Sequence, residues 1–218
     1  MRNKIIFIIL VFIIEGCTRT ETTFHPNGKV MSVVKKKNGK KEGQALYYYP
    51  NGTLQQEAWY RKDKLHGISK RYWPNGNLER QENYEMGLKN GPVIGNYQSG
   101  KLFFKAIYKN DTLDGPYEEW HENGMPKVAG SYSRGLFEGK WEYFDENGFK
   151  LGEGIFHQGT GIQRAWYYNG KPRRIIEYRH NLKNGKQEEY DEEGKLIRIS
   201  QYRNDTLIST ASGEKSDK

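Results

Sequence analysis

The chain has 218 residues, of which 35% are hydrophobic and 14% aromatic, and its formal net charge is +8. Because ordinary globular domains are about 45–50% apolar, this composition argues against one thick hydrophobic core. The 25 glycines outnumber the 7 prolines and follow no three-residue period, which excludes collagen and predicts many turns between short strands.

The first 16 residues are predicted to be a signal peptide. Arg2 and Lys4 precede ten consecutive apolar residues, 5–14. As a helix this run would span about 15 Å, roughly half of a ~30 Å hydrocarbon core. It is therefore too short for a membrane-spanning anchor and has the length of a signal-peptide core.

The chain contains a single cysteine, Cys17, which follows Gly16 just after the apolar run. This arrangement resembles the lipobox of bacterial lipoproteins, in which the cysteine becomes the first mature residue and carries acyl chains. The resemblance implies lipid attachment at Cys17 and a membrane-anchored location in the bacterial cell envelope. In that family, Thr18 rather than Asp directly after the cysteine implies that the lipoprotein is transferred to the outer membrane. The alternative is a free cysteine in an ordinary secretory signal. Residues 17–23 are predicted to be a lipidated N-terminal linker.

Five lysines lie between residues 35 and 41, close to the predicted lipid attachment. We predict that Lys35, Lys36 and Lys37 contact anionic lipid head groups, each contributing about 1 kcal/mol near the membrane surface. The alternative is a solvated segment without a ligand. Nucleic acid is not expected as a partner, because a secreted lipoprotein is separated from the chromosome.

A repeat of 24 residues extends over residues 24–207. Two series of glycines follow it, each with one interval of 22 residues in place of 24. The first series ends motifs such as Pro-Asn-Gly and supplies the positive φ of a tight turn. Its members are Gly28, Gly52, Gly76, Gly100, Gly124, Gly148, Gly170 and Gly194. The second series is Gly43, Gly67, Gly91, Gly115, Gly139, Gly161 and Gly185.

Each unit predicts a hairpin of two strands. The strand after the turn glycine has an apolar residue two positions on, such as Leu54, and an aromatic residue eight positions on. Because both offsets are even, both side chains are predicted to share one face. A second aromatic row lies five residues after the second glycine. The two rows are Tyr60, Tyr84, Tyr108, Tyr132, Phe156, Tyr178 and Tyr202, and Tyr48, Tyr72, Trp120, Phe144, Trp166 and Tyr190.

The predicted fold is all-β, an elongated single-sheet meander of tandem 24-residue hairpins. Helix is not expected after Cys17, because no segment there shows a sustained 3.6-residue apolar pattern. Seven units of two strands, at ~4.8 Å per strand, predict a ribbon roughly 65–70 Å long. The interval of 22 residues places a two-residue deletion in the loop at 157–160. Residues 208–218 are predicted to be a disordered polar tail.

The unit at residues 108–124, Tyr-Lys-Asn-Asp-Thr-Leu-Asp-Gly-Pro-Tyr-Glu-Glu-Trp-His-Glu-Asn-Gly, resembles the MORN repeat variant found in bacterial proteins that are described as YwqK-like antitoxin components. The resemblance covers residues 24–207, nearly the whole mature chain. It implies a β-hairpin array that serves as a scaffold or binding surface. The family name implies, as an alternative, an antitoxin role with a toxin as partner.

No metal site, cofactor site or catalytic motif is expected. The five histidines occupy unrelated repeat positions, and Cys17 has no second cysteine to pair with. The acidic pairs Glu118-Glu119 and Glu188-Glu189 recur at equivalent strand positions, where alternation with basic residues explains them as solvated faces. We therefore expect a non-enzymatic protein.

The aromatic rows are interpreted as the thin core of the sheet, each cross-strand ring pair adding roughly 0.2–1 kcal/mol. Four rings beside the rows are predicted to be exposed on the opposite face and to contact an unknown protein partner: Trp59, Trp73, Tyr97 and Tyr167. The predicted function is a protein–protein interaction platform in the envelope. The alternatives are a module that binds membrane lipid or glycan, or an antitoxin-like protein.

Overall fold

The computed structural model describes residues 18–213, so the predicted signal peptide and Cys17 lie outside the described residues. The described chain is a single antiparallel sheet without helix, as predicted. Its strands are β1 (Thr18–Phe24), β2 (Val30–Lys37), β3 (Lys40–Tyr48), β4 (Leu54–Arg61), β5 (Lys64–Leu65), β6 (Gly67–Tyr72), β7 (Leu78–Glu85), β8 (Leu88–Asn96), β9 (Leu102–Lys109), β10 (Thr112–Trp120), β11 (Pro126–Ser133), β12 (Leu136–Phe144), β13 (Lys150–His157), β14 (Thr160–Trp166), β15 (Pro172–Arg179), β16 (Leu182–Tyr190), β17 (Leu196–Arg203) and β18 (Thr206–Ser212).

Each strand pairs with its neighbours in sequence, which confirms the predicted meander. The short strands β5 and β6 both pair with β4 and occupy one position in the sheet, so the sheet has 17 strand positions. At ~4.8 Å per strand this gives roughly 75–80 Å along the sheet, somewhat more than the fourteen predicted strands would span. Contacts are local in sequence, as expected for a repeat array.

Both ends of the array extend beyond the predicted boundaries. Strand β1 occupies most of the predicted linker at residues 17–23, pairing Thr18 with Lys37 and Thr22 with Val33. Strand β18 runs to Ser212, so residues 208–212 belong to the sheet and the predicted polar tail is wrong there. Residues 214–218 lie outside the described part of the chain. The repeat pattern was too weak in these half-units to reveal the two edge strands.

The hairpins are joined by two kinds of turn. In one kind, two consecutive residues have positive φ, as in Asn110 (49°) and Asp111 (63°), the geometry of a type I′ turn. In the other kind, which we call the tips, only the glycine of the first series has positive φ, as in Gly124 (93°). This confirms the conformation predicted for those glycines. All two-residue turns lie along one rim of the sheet, the turn rim, and all tips lie along the opposite rim, the tip rim.

Hydrogen bonds connect consecutive units along both rims. At the turn rim, Asp111 N–H donates to the Lys89 carbonyl (2.9 Å), and Lys89 N–H donates back to Asp111 Oδ1 (2.7 Å). At the tip rim, the Asn27 side-chain amide donates to the Pro50 carbonyl (2.8 Å) and Asn169 does so to Glu192 (2.8 Å). Each bond joins residues 22 or 23 positions apart, so the asparagine of the tip motif connects units as well as shaping its own turn.

A β-bulge at the tip end of the strands changes which side chains share a face. Tyr48 pairs with Leu54, and the register then shifts so that Tyr47 pairs with Gln56. The extra residue interrupts the alternation of side chains. Leu54 therefore pairs with the second aromatic row, and the prediction that it shares a face with Tyr60 is wrong. Two other units show the same pairing, Leu78 with Tyr72 and Leu196 with Tyr190.

The glycines of the second series lie in a wider bulge near the turn rim. Leu113 pairs with Tyr108 and Tyr117 with Ala106, so three residues including Gly115 face a single residue on the other strand. Six of the seven glycines in this series have positive φ there, and Gly161 does not.

The short unit lacks this bulge. Phe156 pairs with Gly161 and Ile155 with Ile162 without interruption, while Gln158 and Gly159 still form a two-residue turn. The two missing residues therefore belong to the bulge, and the prediction that they were lost from the loop at 157–160 is wrong. A deletion in the loop and one in the bulge leave the same glycine spacing.

One face of the sheet, which we call the packed face, holds the buried side chains. Most of them are small, and facing residues pair directly, as Ala45 does with Ala58 and Val93 with Ala106. In a single sheet such residues become buried only when longer side chains on the same face lean over them. The buried set is Ser32, Val34, Ala45, Ala58, Ser69, Val93, Ala106, Trp141, Phe156, Ile176, Gln187 and Ser200.

Rings form the thickest part of the packed face. The Trp141 ring is 4.9 Å from Tyr132 and 4.8 Å from Phe137, and Phe137 is 5.2 Å from Phe156 (centroid distances). Trp141 is only 2% exposed. It pairs with a glycine on one neighbouring strand, and on the other a Cβ on Gly130 would overlap its ring. In the first aromatic row Phe156 is buried and the other six rings are half-buried, which agrees with the predicted thin core. The glycines make room for the tryptophan beside this row.

Candidate interaction surface

Three of the four rings predicted to bind a partner are structural. The hydroxyls of Tyr97 and Tyr167 donate to the carbonyls of Trp120 and Tyr190 (both 2.8 Å), and Trp73 Nε1 donates to the Asn96 carbonyl (3.3 Å). Each bond spans 23 residues and connects one tip to the next unit. All three rings are half-buried, so the prediction that they are exposed is wrong, and their contact with a partner stays a prediction.

The fourth ring, Trp59, is 45% exposed on the face opposite to the packed face, which we call the open face. It pairs with Gln44 and faces the bulge of the next strand, where a Cβ on Gly67 would lie 3.7 Å from the Trp59 Cβ. Ile68, which follows that glycine, is 43% exposed. Trp59 and Ile68 are thus two exposed apolar side chains on neighbouring strands.

The same two repeat positions carry apolar residues farther along the open face. Pro92 pairs with Ile107, and Ile155, which is 65% exposed, pairs with Ile162. Consecutive strands therefore place these residues in one line parallel to the turn rim. We call this line the open-face stripe: Trp59, Ile68, Pro92, Ile107, Pro116, Ile155 and Ile162.

Sequence reasoning missed every member of the stripe except Trp59. The available signal was an apolar residue directly before a ring of the first aromatic row or directly after a glycine of the second series. This signal is weaker than that of the rings, because polar residues occupy the same two positions in other units. No other element of residues 18–213 covers the stripe, since these residues form only one sheet.

The three lysines predicted to contact lipid are divided between the faces. Lys36 points to the packed face, where its Nζ donates to Glu21 Oε2 (2.8 Å). This hydrogen bond lowers the pKa of the Glu21 carboxyl. Lys35 and Lys37 are exposed. The strand alternation therefore leaves two of the three lysines available, and their contact with lipid stays a prediction.

The turn rim is cationic. Taken with one flanking residue on either side, the two-residue turns contain nine lysines and arginines against four acidic residues. All nine cations are exposed, and none of them forms an ion pair within residues 18–213. They are Lys37, Lys40, Arg61, Lys62, Lys64, Lys109, Arg134, Arg179 and Arg203.

The acidic pairs do not form a site with two facing carboxylates. Neighbouring residues of a strand point to opposite faces, and the carboxylates on the packed face have cationic partners. Glu119 lies 3.2 Å from Lys127 Nζ, and Glu189 pairs with Arg198. Glu188 accepts a hydrogen bond from the Tyr190 hydroxyl (2.8 Å).

Within residues 18–213, no group of three or more His, Cys, Asp or Glu side chains could hold a metal ion. The same residues include no helix that is long and apolar enough to span a membrane.

Comparison with curated sequences and with a similar solved structure gives no relative that informs on this chain. No protein among the curated sequences matches the chain. One similar solved structure is described as "Crystal Structure of TcdB2-TccC3", with 9% identity and a TM-score of 0.15. The match covers 89% of this chain and 15% of that chain. With so low a TM-score, it gives no information about the fold or the function of this chain.

The family model described as MORN repeat variant matches six segments: 41–62, 65–86, 89–110, 113–133, 160–180 and 183–204. Together they cover more than half of the chain. The unmatched interval between residues 133 and 160 contains β12 and β13, and β13 is one of the two strands that pair without the bulge. The matched segments follow the hairpin units of the sheet, so the chain belongs to the MORN repeat variant family.

Proposed function

We propose that the chain is a non-enzymatic lipoprotein of the bacterial envelope, anchored through Cys17, whose repeat array binds another protein. MORN repeats are commonly interaction modules. The single observation that supports a protein partner is the open-face stripe, in which seven apolar side chains lie uncovered in one line that spans ten strand positions, three of which carry polar residues.

The stripe suits a protein partner better than a glycan or a lipid head group. Its members are aliphatic or prolyl apart from Trp59, whereas sugar sites require hydrogen-bonding groups beside rings. Exposed apolar patches with a polar surround are typical of protein interfaces. Polar residues lie in the same line beside the apolar ones: Gln44 pairs with Trp59, Asn83 with Ile68 and Lys140 with Ile155.

We expect the stripe to control partner binding. The mature wild-type protein should retain one stoichiometric protein from envelope extract, and the purified partner should bind directly. The double variant Trp59→Ser and Ile155→Ser should lose this binding, because it removes two large and exposed side chains of the stripe. Titration calorimetry with the purified partner measures the loss.

A matched control separates the effect of the apolar stripe on binding from the effect of exposed charge. Replacing Lys35 and Lys37 by Gln changes two exposed residues of the same face and should leave partner binding unchanged. Equal binding by wild type and stripe variant would refute the proposal. Retention of only lipid or sugar would support the alternative modules, and retention of a toxin would support an antitoxin role.

The position of β1 supports an anchored orientation. Thr18, the residue after Cys17, pairs with Lys37 at the turn rim. An acyl chain on Cys17 would therefore attach beside the first two turns, which carry Lys37, Lys40, Arg61, Lys62 and Lys64. Cations near an anionic membrane surface add about 1 kcal/mol each. The turn rim would then face the membrane and the tip rim would face away from it.

Acylation of Cys17 can be measured directly. Cells that express the wild-type protein and are fed an alkyne fatty acid should yield a labelled protein that fractionates with membranes. The Cys17→Ala variant should be unlabelled, because no other cysteine is present in the chain. A Cys17→Ala protein that is labelled as strongly as wild type would contradict lipid attachment at this residue.

A further inference from the structure

Three exposed apolar side chains lie next to one another on the tip rim. Met125, Phe149 and Tyr168 are 39%, 36% and 68% exposed. The rings of Phe149 and Tyr168 lie 4.8 Å apart at an angle of 43°. A Cβ on Gly148 would lie 2.7 Å from Met125 Cε, which places that methyl group beside the residue that precedes Phe149. We call these three residues the tip patch.

The turns do not require apolar residues at these positions. The residue after the tip glycine is polar in the other six tips: Lys29, Thr53, Asn77, Lys101, Lys171 and Lys195. Tyr168 occupies the position that is proline, glutamine or glutamate in the other tips. Its hydroxyl donates to Asp145 Oδ2 (2.7 Å), but its ring remains in solvent. The patch is therefore a local departure from a turn that folds without it.

Carboxylates surround the tip patch. Asp145 Oδ1 accepts the backbone N–H of Asn147 (2.9 Å) and of Phe149 (2.8 Å). The hydrogen bond from Tyr168 lowers the pKa of Asp145, a carboxyl that is ionised at neutral pH even at its ordinary pKa. Glu122 and Glu146 are exposed. None of these three carboxylates forms an ion pair within residues 18–213.

We propose that the tip patch binds a cationic segment of a partner protein, with an arginine side chain lying over Phe149 and Tyr168 and paired with Asp145 and Glu146. A guanidinium group stacks on aromatic faces and forms two parallel hydrogen bonds with a carboxylate. Three carboxylates without a cationic partner within residues 18–213 repel an anionic surface, which disfavours lipid head groups and nucleic acid at the tip patch. This second surface lies on the tip rim, separate from the open-face stripe, and does not depend on the function proposed for the stripe.

The probe is a set of fluorescent peptides of alternating glycine with arginine, lysine or glutamate, titrated against the full mature chain by fluorescence anisotropy. The arginine peptide should bind more tightly than the lysine peptide, and the glutamate peptide should not bind. The double variant Phe149→Ser and Tyr168→Ser should weaken binding of the arginine peptide by roughly fivefold or more, the size of a cation–π contact.

Two controls make the result specific. The variant Glu192→Gln and Glu193→Gln removes two charges from another tip without touching a ring, and should change affinity by less than about twofold if the patch is the site. Trp59→Ser with Ile155→Ser tests the stripe and should not affect peptide binding.

Equal weakening by the ring variant and the Glu192/Glu193 variant would show attraction to net charge alone and would overturn the proposal. Wild-type affinity in the ring variant would also overturn it. Because all substituted side chains are exposed, circular dichroism should show the same strand content in every variant. Glu146→Gln provides a milder test, and it should weaken binding of the arginine peptide without altering any ring.

Discussion

Replacing Trp141 by Ala is expected to lower the free energy of unfolding by about 3–5 kcal/mol, the usual cost of truncating a buried aromatic side chain. The ring is 2% exposed and contacts Tyr117, Tyr132 and Phe137. Its Nε1 also donates to the Ser131 carbonyl (3.1 Å). Truncation would leave a cavity bordered by glycine, which has no side chain to fill it. Urea denaturation measures the change.

Trp59→Ala is the matched control, because it truncates the same residue type where the side chain is 45% exposed. Its cost should stay below about 1 kcal/mol, as for most surface changes. Hydrogen exchange should show the loss of protection concentrated in β11–β14, because contacts in the array are local. Equal destabilisation by the two variants would contradict the assignment of the packed face as the only core of residues 18–213.

Alkaline pH is expected to destabilise the protein strongly. Burial raises the pKa of Tyr60 to about 12, with a further contribution from its hydrogen bond to Tyr47. Burial also raises the pKa of Tyr143 to about 12 and that of Tyr84 and Tyr117 above its ordinary value. In the unfolded chain these phenols titrate near pH ~10. The folded state therefore retains their protons longer.

The sign follows from proton binding. Below pH ~10 both states hold the phenol protons and this contribution to stability is fully present. Between pH ~10 and the raised folded pKa values, the folded state binds more protons than the unfolded state, so stability falls as pH rises. Denaturation curves recorded at several pH values from neutral to about pH 12 should show this decline.

Tyr143→Phe tests the cause. The Tyr143 hydroxyl makes no hydrogen bond within residues 18–213, so its removal should leave stability near neutral pH almost unchanged. The variant should lose less stability than wild type above pH ~10, because one titrating group is gone. An identical alkaline decline in both proteins would show that the Tyr143 phenol does not contribute.

The first aromatic row was predictable as core because its spacing repeats with the strand and because rings are the main apolar material in this chain. The individual roles of Trp73, Tyr97 and Tyr167 were not. Their hydrogen-bond acceptors are backbone carbonyls 23 residues away. Because every residue has a backbone carbonyl, the sequence does not indicate which one accepts the bond. The open-face stripe was only partly predictable, because Trp59 is a large ring beside the first aromatic row whereas polar residues occupy the positions of the stripe isoleucines in other units.

By itself, the sequence determined the repeat period, the all-β class, the neighbour-to-neighbour pairing and the positive φ of the tip glycines. These properties follow from local backbone geometry and from side-chain periodicity, which a single chain displays directly. Only the tertiary structure decided which face each side chain occupies near the tips. A bulge adds one residue to one strand and reverses the alternation, and its position depends on the partner strand, as the pairing of Leu54 with Tyr48 shows. The tip patch is likewise a tertiary property, because Met125, Phe149 and Tyr168 meet only where consecutive tips lie side by side.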